Sequence, residues 1–167
     1  MKAGPLAWLY LILLSLIWGS SFILMKEGMV VFTSDEVAAL RITIAFLALS
    51  PFLIKHFKSV DLKKDWLGLT IMGVFGNLLP AFLFTAAETQ ISSSLTGMLN
   101  ALTPLFTILI GVLVFKTKIQ NFQIAGVAIG LVGAVCLMGF SEGGGETKNM
   151  MFSLLVVAAT FCYAISV

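Results

Sequence analysis

The sequence is dominated by long stretches without a charged side chain: Ala3 to Met25, Trp66 to Ala87, Thr89 to Phe115, Ile119 to Ser141 and Asn149 to Val167. A helix crosses a bilayer core with about 20 apolar residues at about 1.5 Å rise each, so every stretch is long enough. A sixth, Val37 to Ile54, is interrupted only by Arg41. Six such spans use roughly 120 positions and leave only short connections, which excludes a soluble domain. Composition agrees: 11% of the residues are charged, against about 25% in a soluble domain. The runs are continuously apolar, whereas barrel strands alternate over segments of about 10 residues. The expected fold is therefore all-α, a polytopic helical membrane protein with six transmembrane helices.

Lys2 before the first run would suit a signal peptide, but the run exceeds the apolar core of about 7–15 residues typical of one and contains Trp18, so it reads as a retained span. Cys136 and Cys162 lie inside apolar runs, with no CxxC or Cys/His spacing nearby. They read as small apolar residues, not as a disulfide or metal site. The one histidine, His56, stands among lysines in a connection and reads as solvated. No HExxH, GxSxG or paired intramembrane carboxylate occurs; no enzyme, metal, cofactor or nucleic-acid partner is expected. The glycine-rich segment SEGGGETK (141–148) reads as a flexible linker, since it lacks the preceding strand and Gly-Lys-Ser/Thr ending of a phosphate loop.

The connections set the orientation. Lys2, Lys55, Lys58, Lys63, Lys64, Lys116 and Lys118 fall on one side, against Lys26 and Lys148 on the other. The positive-inside bias then places the N-terminus in the cytoplasm, with Trp8 and Trp66 at the inner interface. A bacterial plasma (inner) membrane is the expected location.

Polar groups at membrane depth cost free energy unless they face protein or water. Asn77 lies mid-way along the third span with Pro80 three residues on, and Asn100 lies in the fourth with Pro104 four residues on. A proline disrupts the bond to the carbonyl four residues earlier, freeing the Gly76 and Asn100 carbonyls. Two readings stand: a locally kinked packing contact, or a polar cavity lined by both helices. Arg41 lies about 9 Å beyond Asp35 along the helix and can reach the outer interface. It either pairs with Glu88 at the same outer level, lining or gating a vestibule, or both are surface groups. Ser92, Ser93 and Ser94 read as caps of the fourth helix. Gly126, Gly130 and Gly133 form a small-residue ridge that permits close helix packing.

Shifting the chain by about 145 positions lays Phe161–Val167 over Leu16–Phe22, with a shared serine and apolar flanks. The segment IWGSSF (17–22) resembles the opening signature of the EamA-type repeat of the drug/metabolite transporter superfamily. AALRITIAF (38–46), LNALTPLFTILIGVLVF (99–115), QIAGVAIGLVGAVCL (123–137) and TFCYAISV (160–167) resemble further elements of that family in the same order. One departure is Lys116-Thr117-Lys118, where the family usually has a glutamate.

The resemblance implies a carrier of two inverted five-helix repeats. Residues 3–140 would form the first five-helix EamA-type repeat, 141–148 the linker and 149–167 the first helix of the second repeat. The implied function is a permease moving small metabolites such as amino acids, or drugs, by alternating access. Trp18, Ser21, Asn77 and Asn100 would line the substrate cavity, Arg41 and Glu88 would be outer-side polar elements, and Pro80 and Pro104 would kink their helices. The implied partners are a small-molecule solute, the lipid bilayer, and either the missing second repeat or another copy of the chain. On this reading the chain alone is a partial carrier that does not transport as a monomer. A second reading is a non-transporting membrane assembly subunit that works through its glycine ridge.

Overall fold

The computed structural model describes residues 4–56, 61–117, 120–140 and 147–167, and the described residues are all-α, without a strand. Lys2, Lys58, Lys118 and linker residues 141–146 lie outside them, as do the side chains of His56 and Lys148. The spans are α1 (Pro5–Gly28); α2 (Ser34–His56); α3 (Leu62–Gly73) continued by a π-helical turn (Val74–Leu78) and α4 (Leu79–Glu88); α5 (Ser93–Asn100) with α6 (Thr103–Phe115); α7 (Asn121–Phe140); and α8 (Thr147–Ser166). Four stretches of the described residues have membrane-spanning length and apolarity: Pro5–Gly28, Ser34–Lys55, Leu62–Glu88 and Ser93–Phe115. Phe122–Cys136 and Met150–Ser166 are shorter apolar helices.

The helices extend further than the uncharged runs. Lys26 and Glu27 belong to the last turn of α1, Asp35 and Glu36 to the first turn of α2, and Glu88 ends α4. Helix ends thus take up charges that lie between the apolar runs, and a local cap holds one of them, Glu36. Glu36 Oε2 accepts from the Thr33 backbone N–H at 2.8 Å while the Thr33 hydroxyl accepts from Glu36 N–H at 3.4 Å, a reciprocal capping box. Ser92 Oγ accepts from Leu95 N–H at 3.3 Å and starts α5. At the end of α6, Lys116 takes a left-handed conformation (φ 52°) and Thr117 N–H returns to Gly111 O at 3.2 Å.

Both prolines restart a helix after a defect. In the third span, Leu79 N–H bonds Val74 O, five residues back, and Pro80 follows in the first turn of α4. In the fourth, the chain breaks at Ala101–Leu102 and resumes with Pro104 in the first turn of α6. The Asn100 carbonyl accepts the Thr103 hydroxyl at 2.9 Å. A freed backbone acceptor at membrane depth is thus met by a side chain of the same segment.

The core lies where α4, α5 and α8 meet. Phe84 and Ala87 from α4, Leu95 and Leu99 from α5, and Val156 and Ala159 from α8 are buried together with Met25 and Val37. The sixth span is therefore central: α8 packs most extensively on α4 and also meets α6, α5 and the π turn. Two glycines admit close approach. A Cβ at Gly76 would stand 2.8 Å from Ser166 Oγ, and one at Gly130 would stand 2.6 Å from Leu105 Cδ1. At Gly126 and Gly133, nothing among the described residues comes within 4 Å of that position. Almost all of α1 faces outward, with only Met25 buried, as suits a helix whose surroundings are lipid or further protein.

Candidate functional site: a cavity between the spans

A cavity of about 410 Å³ is lined by Trp18, Ser21 and Phe22 of α1, Arg41 of α2, Phe84 of α4, Asn100 and Thr103 at the break of the fourth span, and Tyr163 and Ser166 of α8. Its aromatic wall crosses three helices: Phe22 and Phe84 have centroids 5.6 Å apart, and Phe84 and Tyr163 5.8 Å. The hydroxyl protons are spent on the helices' own carbonyls. Ser21 donates to Trp18 O at 2.9 Å and Ser166 to Tyr163 O at 2.8 Å. Each hydroxyl oxygen keeps lone pairs that can accept from a guest. The cavity shares Trp18, Phe22, Asn100 and Thr103 with a larger groove of about 980 Å³ running along α1, α5 and α6.

Of the residues expected at a cavity, the structure brings Trp18, Ser21 and Asn100 to one place and adds Arg41 to them. Asn77 is exposed and lines neither space. The π turn holds one residue more than an α-helical turn, and so rotates the following face by about 100° from its straight-helix position. Tyr163, Ser166 and Thr103 join the site without having been singled out from the sequence; the internal match of the last span to the first was the signal that could have pointed to Tyr163 and Ser166.

Beside the cavity, at the C-terminal ends of α1 and α4, the charged groups gather. Lys26 Nζ donates to Glu88 O and, at 3.1 Å, to Ile91 O. The Glu88 side chain is 0% exposed, and neither carboxylate oxygen has a hydrogen-bond partner among the described residues. Lys26 and Arg41 are both close enough to attract it, while the neighbouring Ser93 hydroxyl donates to Phe22 O at 3.3 Å. The Arg41 guanidinium donates to the Met25 thioether. Arg41 is half-buried, so neither member of the expected polar pair is a surface group. A second space, of about 650 Å³, touches Lys26, Glu27, Thr33, Glu36 and Glu88 at this end. Among the described residues no group of three or more His, Cys, Asp or Glu could hold a metal ion.

The profile of the EamA-like transporter family matches residues 5–139. The chain belongs to the EamA-like transporter family. It is 30% identical over 154 residues to a "probable amino-acid metabolite efflux pump" of Salmonella typhimurium, covering 92% of this chain and 49% of the relative. A protein of the same name from Escherichia coli is 28% identical over 163 residues, 98% of this chain and 51% of its own. An "uncharacterized inner membrane transporter" of Escherichia coli is 26% identical over 152 residues, with 90% and 48% covered. The chain spans about half the length of these relatives. No solved structure matches it. As a member of this family with spans of this length and apolarity, the chain is an integral membrane protein.

Proposed function

We propose that this chain supplies one half of a secondary carrier that moves small amphipathic metabolites, amino acids among them, or drugs, by alternating access across a bacterial plasma membrane. Its N-terminus lies in the cytoplasm. Residues 3–140 form the first five-helix repeat, and α8 opens a second. The observation that carries this reading is the cavity itself: Trp18 and Ser21 of α1, Arg41 of α2, Asn100 of the fourth span and Tyr163 of α8 converge on one space of about 410 Å³. That size suits a small-molecule site, in which an apolar lining with a few convergent polar groups is the rule. Polar backbone and side chains at this depth are tolerated when they line a cavity. The amino-acid pump names of two relatives support the solute class.

The test is counterflow in liposomes. The 167-residue chain is compared with a version extended by about 130 residues of second repeat, enough for five more short-looped spans. The extended carrier is expected to exchange radiolabelled leucine or another small amphipathic solute, and the short chain to exchange none. If the extended carrier shows no solute-dependent flux across such a set while remaining folded, the transport reading fails and the assembly-subunit reading takes its place.

A further inference from the structure

We propose that Arg41 is the anion-recognition residue of this cavity, and that the solute seated there carries a single carboxylate on an apolar body. The inference rests on the transport reading above and names the substrate class that the site selects.

Among the described residues, Arg41 is the one charged side chain in the cavity lining. A guanidinium carries five N–H donors in a planar fork, and the partner the structure gives it is the Met25 sulfur, a weak acceptor. No Arg41 nitrogen is among the buried atoms left without a partner, so its remaining donors are open to an entering acceptor. The fork fits a carboxylate with two parallel bonds. Glu88 does not serve as that partner, since both of its carboxylate oxygens are without a hydrogen bond, although Arg41 attracts it from a distance.

The local charge count points the same way. Among the described residues that line the cavity, Arg41 carries a positive charge that no lining carboxylate offsets. One entering carboxylate neutralises it. The rest of the lining sets the body of the guest. Trp18, Phe22 and Phe84 offer apolar faces, while Ser21, Asn100 and Ser166 offer oxygen acceptors for one amine or hydroxyl. Glu88 acts as a positioning residue: its negative charge lowers the affinity of Arg41 for the guest, so that the guest can leave.

The experiment uses the 167-residue chain in neutral phosphatidylcholine nanodiscs, with Trp8→Phe and Trp66→Phe leaving Trp18 as the fluorescent reporter, and empty nanodiscs as the control. The probes share one branched body: 4-methylpentanoate, its neutral amide, 3-methylbutylamine and leucine. The expected result is that 4-methylpentanoate and leucine bind about tenfold or more tightly than the amide, as charge-assisted paired bonds require, and that the amine does not bind. Arg41→Gln is expected to bring acid and amide to equal affinity, Arg41→Lys to keep part of the preference, and Glu88→Gln to tighten the acid. Equal binding of acid and amide by the unsubstituted chain, absence of binding by all probes, or an acid preference that survives Arg41→Gln overturns the proposal. The wild-type acid-to-amide comparison decides it even where a variant does not fold. Transport without acid preference sinks this inference alone, whereas acid preference without transport in the extended carrier sinks the carrier reading alone.

Discussion

The Lys26 ammonium and the backbone carbonyl of Glu88 form a hydrogen bond that joins the C-terminal end of α1 to the C-terminal end of α4. The same ammonium reaches Ile91 O just beyond the helix. A cation at this place neutralises the negative end of the α4 dipole and satisfies carbonyls that have no partner within the helix. It also offsets the charge of the buried Glu88 side chain.

Removing that cation leaves two carbonyls and a carboxylate less well met. Lys26→Met is expected to lower stability by about 1–3 kcal/mol, the range for stranding buried acceptors. Combining it with Glu88→Gln is expected to recover part of that loss, because the two sites are coupled. Denaturant titration of all four proteins in micelles measures the coupling; strictly additive losses would separate Lys26 from Glu88.

The close approaches at two glycines predict a contrast. Gly76→Val drives a side chain into Ser166 Oγ and Cβ, 2.8 and 2.9 Å from the new Cβ, and is expected to cost about 1–3 kcal/mol by overpacking α8 against the third span. Gly130→Ile meets Leu105 and is expected to cost a similar amount, whereas Gly126→Ile and Gly133→Ile open onto free space and stay within about 0.5 kcal/mol. Thermal unfolding of the four variants reads this directly, and equal losses at all four sites would contradict the packing described.

At the break of the fourth span, fold and solute recognition separate. Thr103→Val removes the hydroxyl bound to the Asn100 carbonyl and is expected to cost about 1–3 kcal/mol, while Thr103→Ser keeps it. Asn100→Leu deletes the side-chain amide facing the cavity, leaves the backbone arrangement, and is expected to change solute selectivity in the extended carrier while the protein stays folded in the membrane. Unchanged selectivity would make Asn100 a packing residue.

The loop charges predict sidedness. Cysteines placed at Lys58 and Lys116 are expected to label only from the cytoplasm, and one at Gly144 only from outside. Labelling of Lys116 and Gly144 from the same face would dismantle the five-helix repeat.

The spans were legible because apolar length is a local property: each uncharged run became one helix or a pair of helices joined at a defect. Trp18, Ser21 and Asn100 were legible as cavity residues because a polar or indole group inside such a run needs a reason to be there. Other parts depend on which helices meet. That α8 packs on α4, and that Tyr163 and Ser166 thereby meet Arg41, are relations between segments far apart in the sequence and leave no periodic trace. Asn77 lies inside the π turn and lines neither space: Pro80 signals a defect, but whether the chain answers with a π turn or a break sets how the side chains on either side of it are turned relative to one another. Glu88 was legible as polar and near the membrane boundary, whereas its complete burial follows from the packing of α1, α2 and α5 around it.

The proposed carrier requires that water and solute reach the polar cavity beside α1. Hydrophilic thiol reagents react with a thiolate, which forms only where water is present, so they report this directly. In a background with Cys136 and Cys162 replaced by alanine, Ser21→Cys lies in the cavity and Ser15→Cys lies on the outward face of the same helix. The measurement is the rate of modification of each by a charged methanethiosulfonate in liposomes. Rapid reaction is expected at position 21 and none at position 15; a Ser21→Cys protein as inert as Ser15→Cys would show that the cavity is closed to water and overturn the carrier reading.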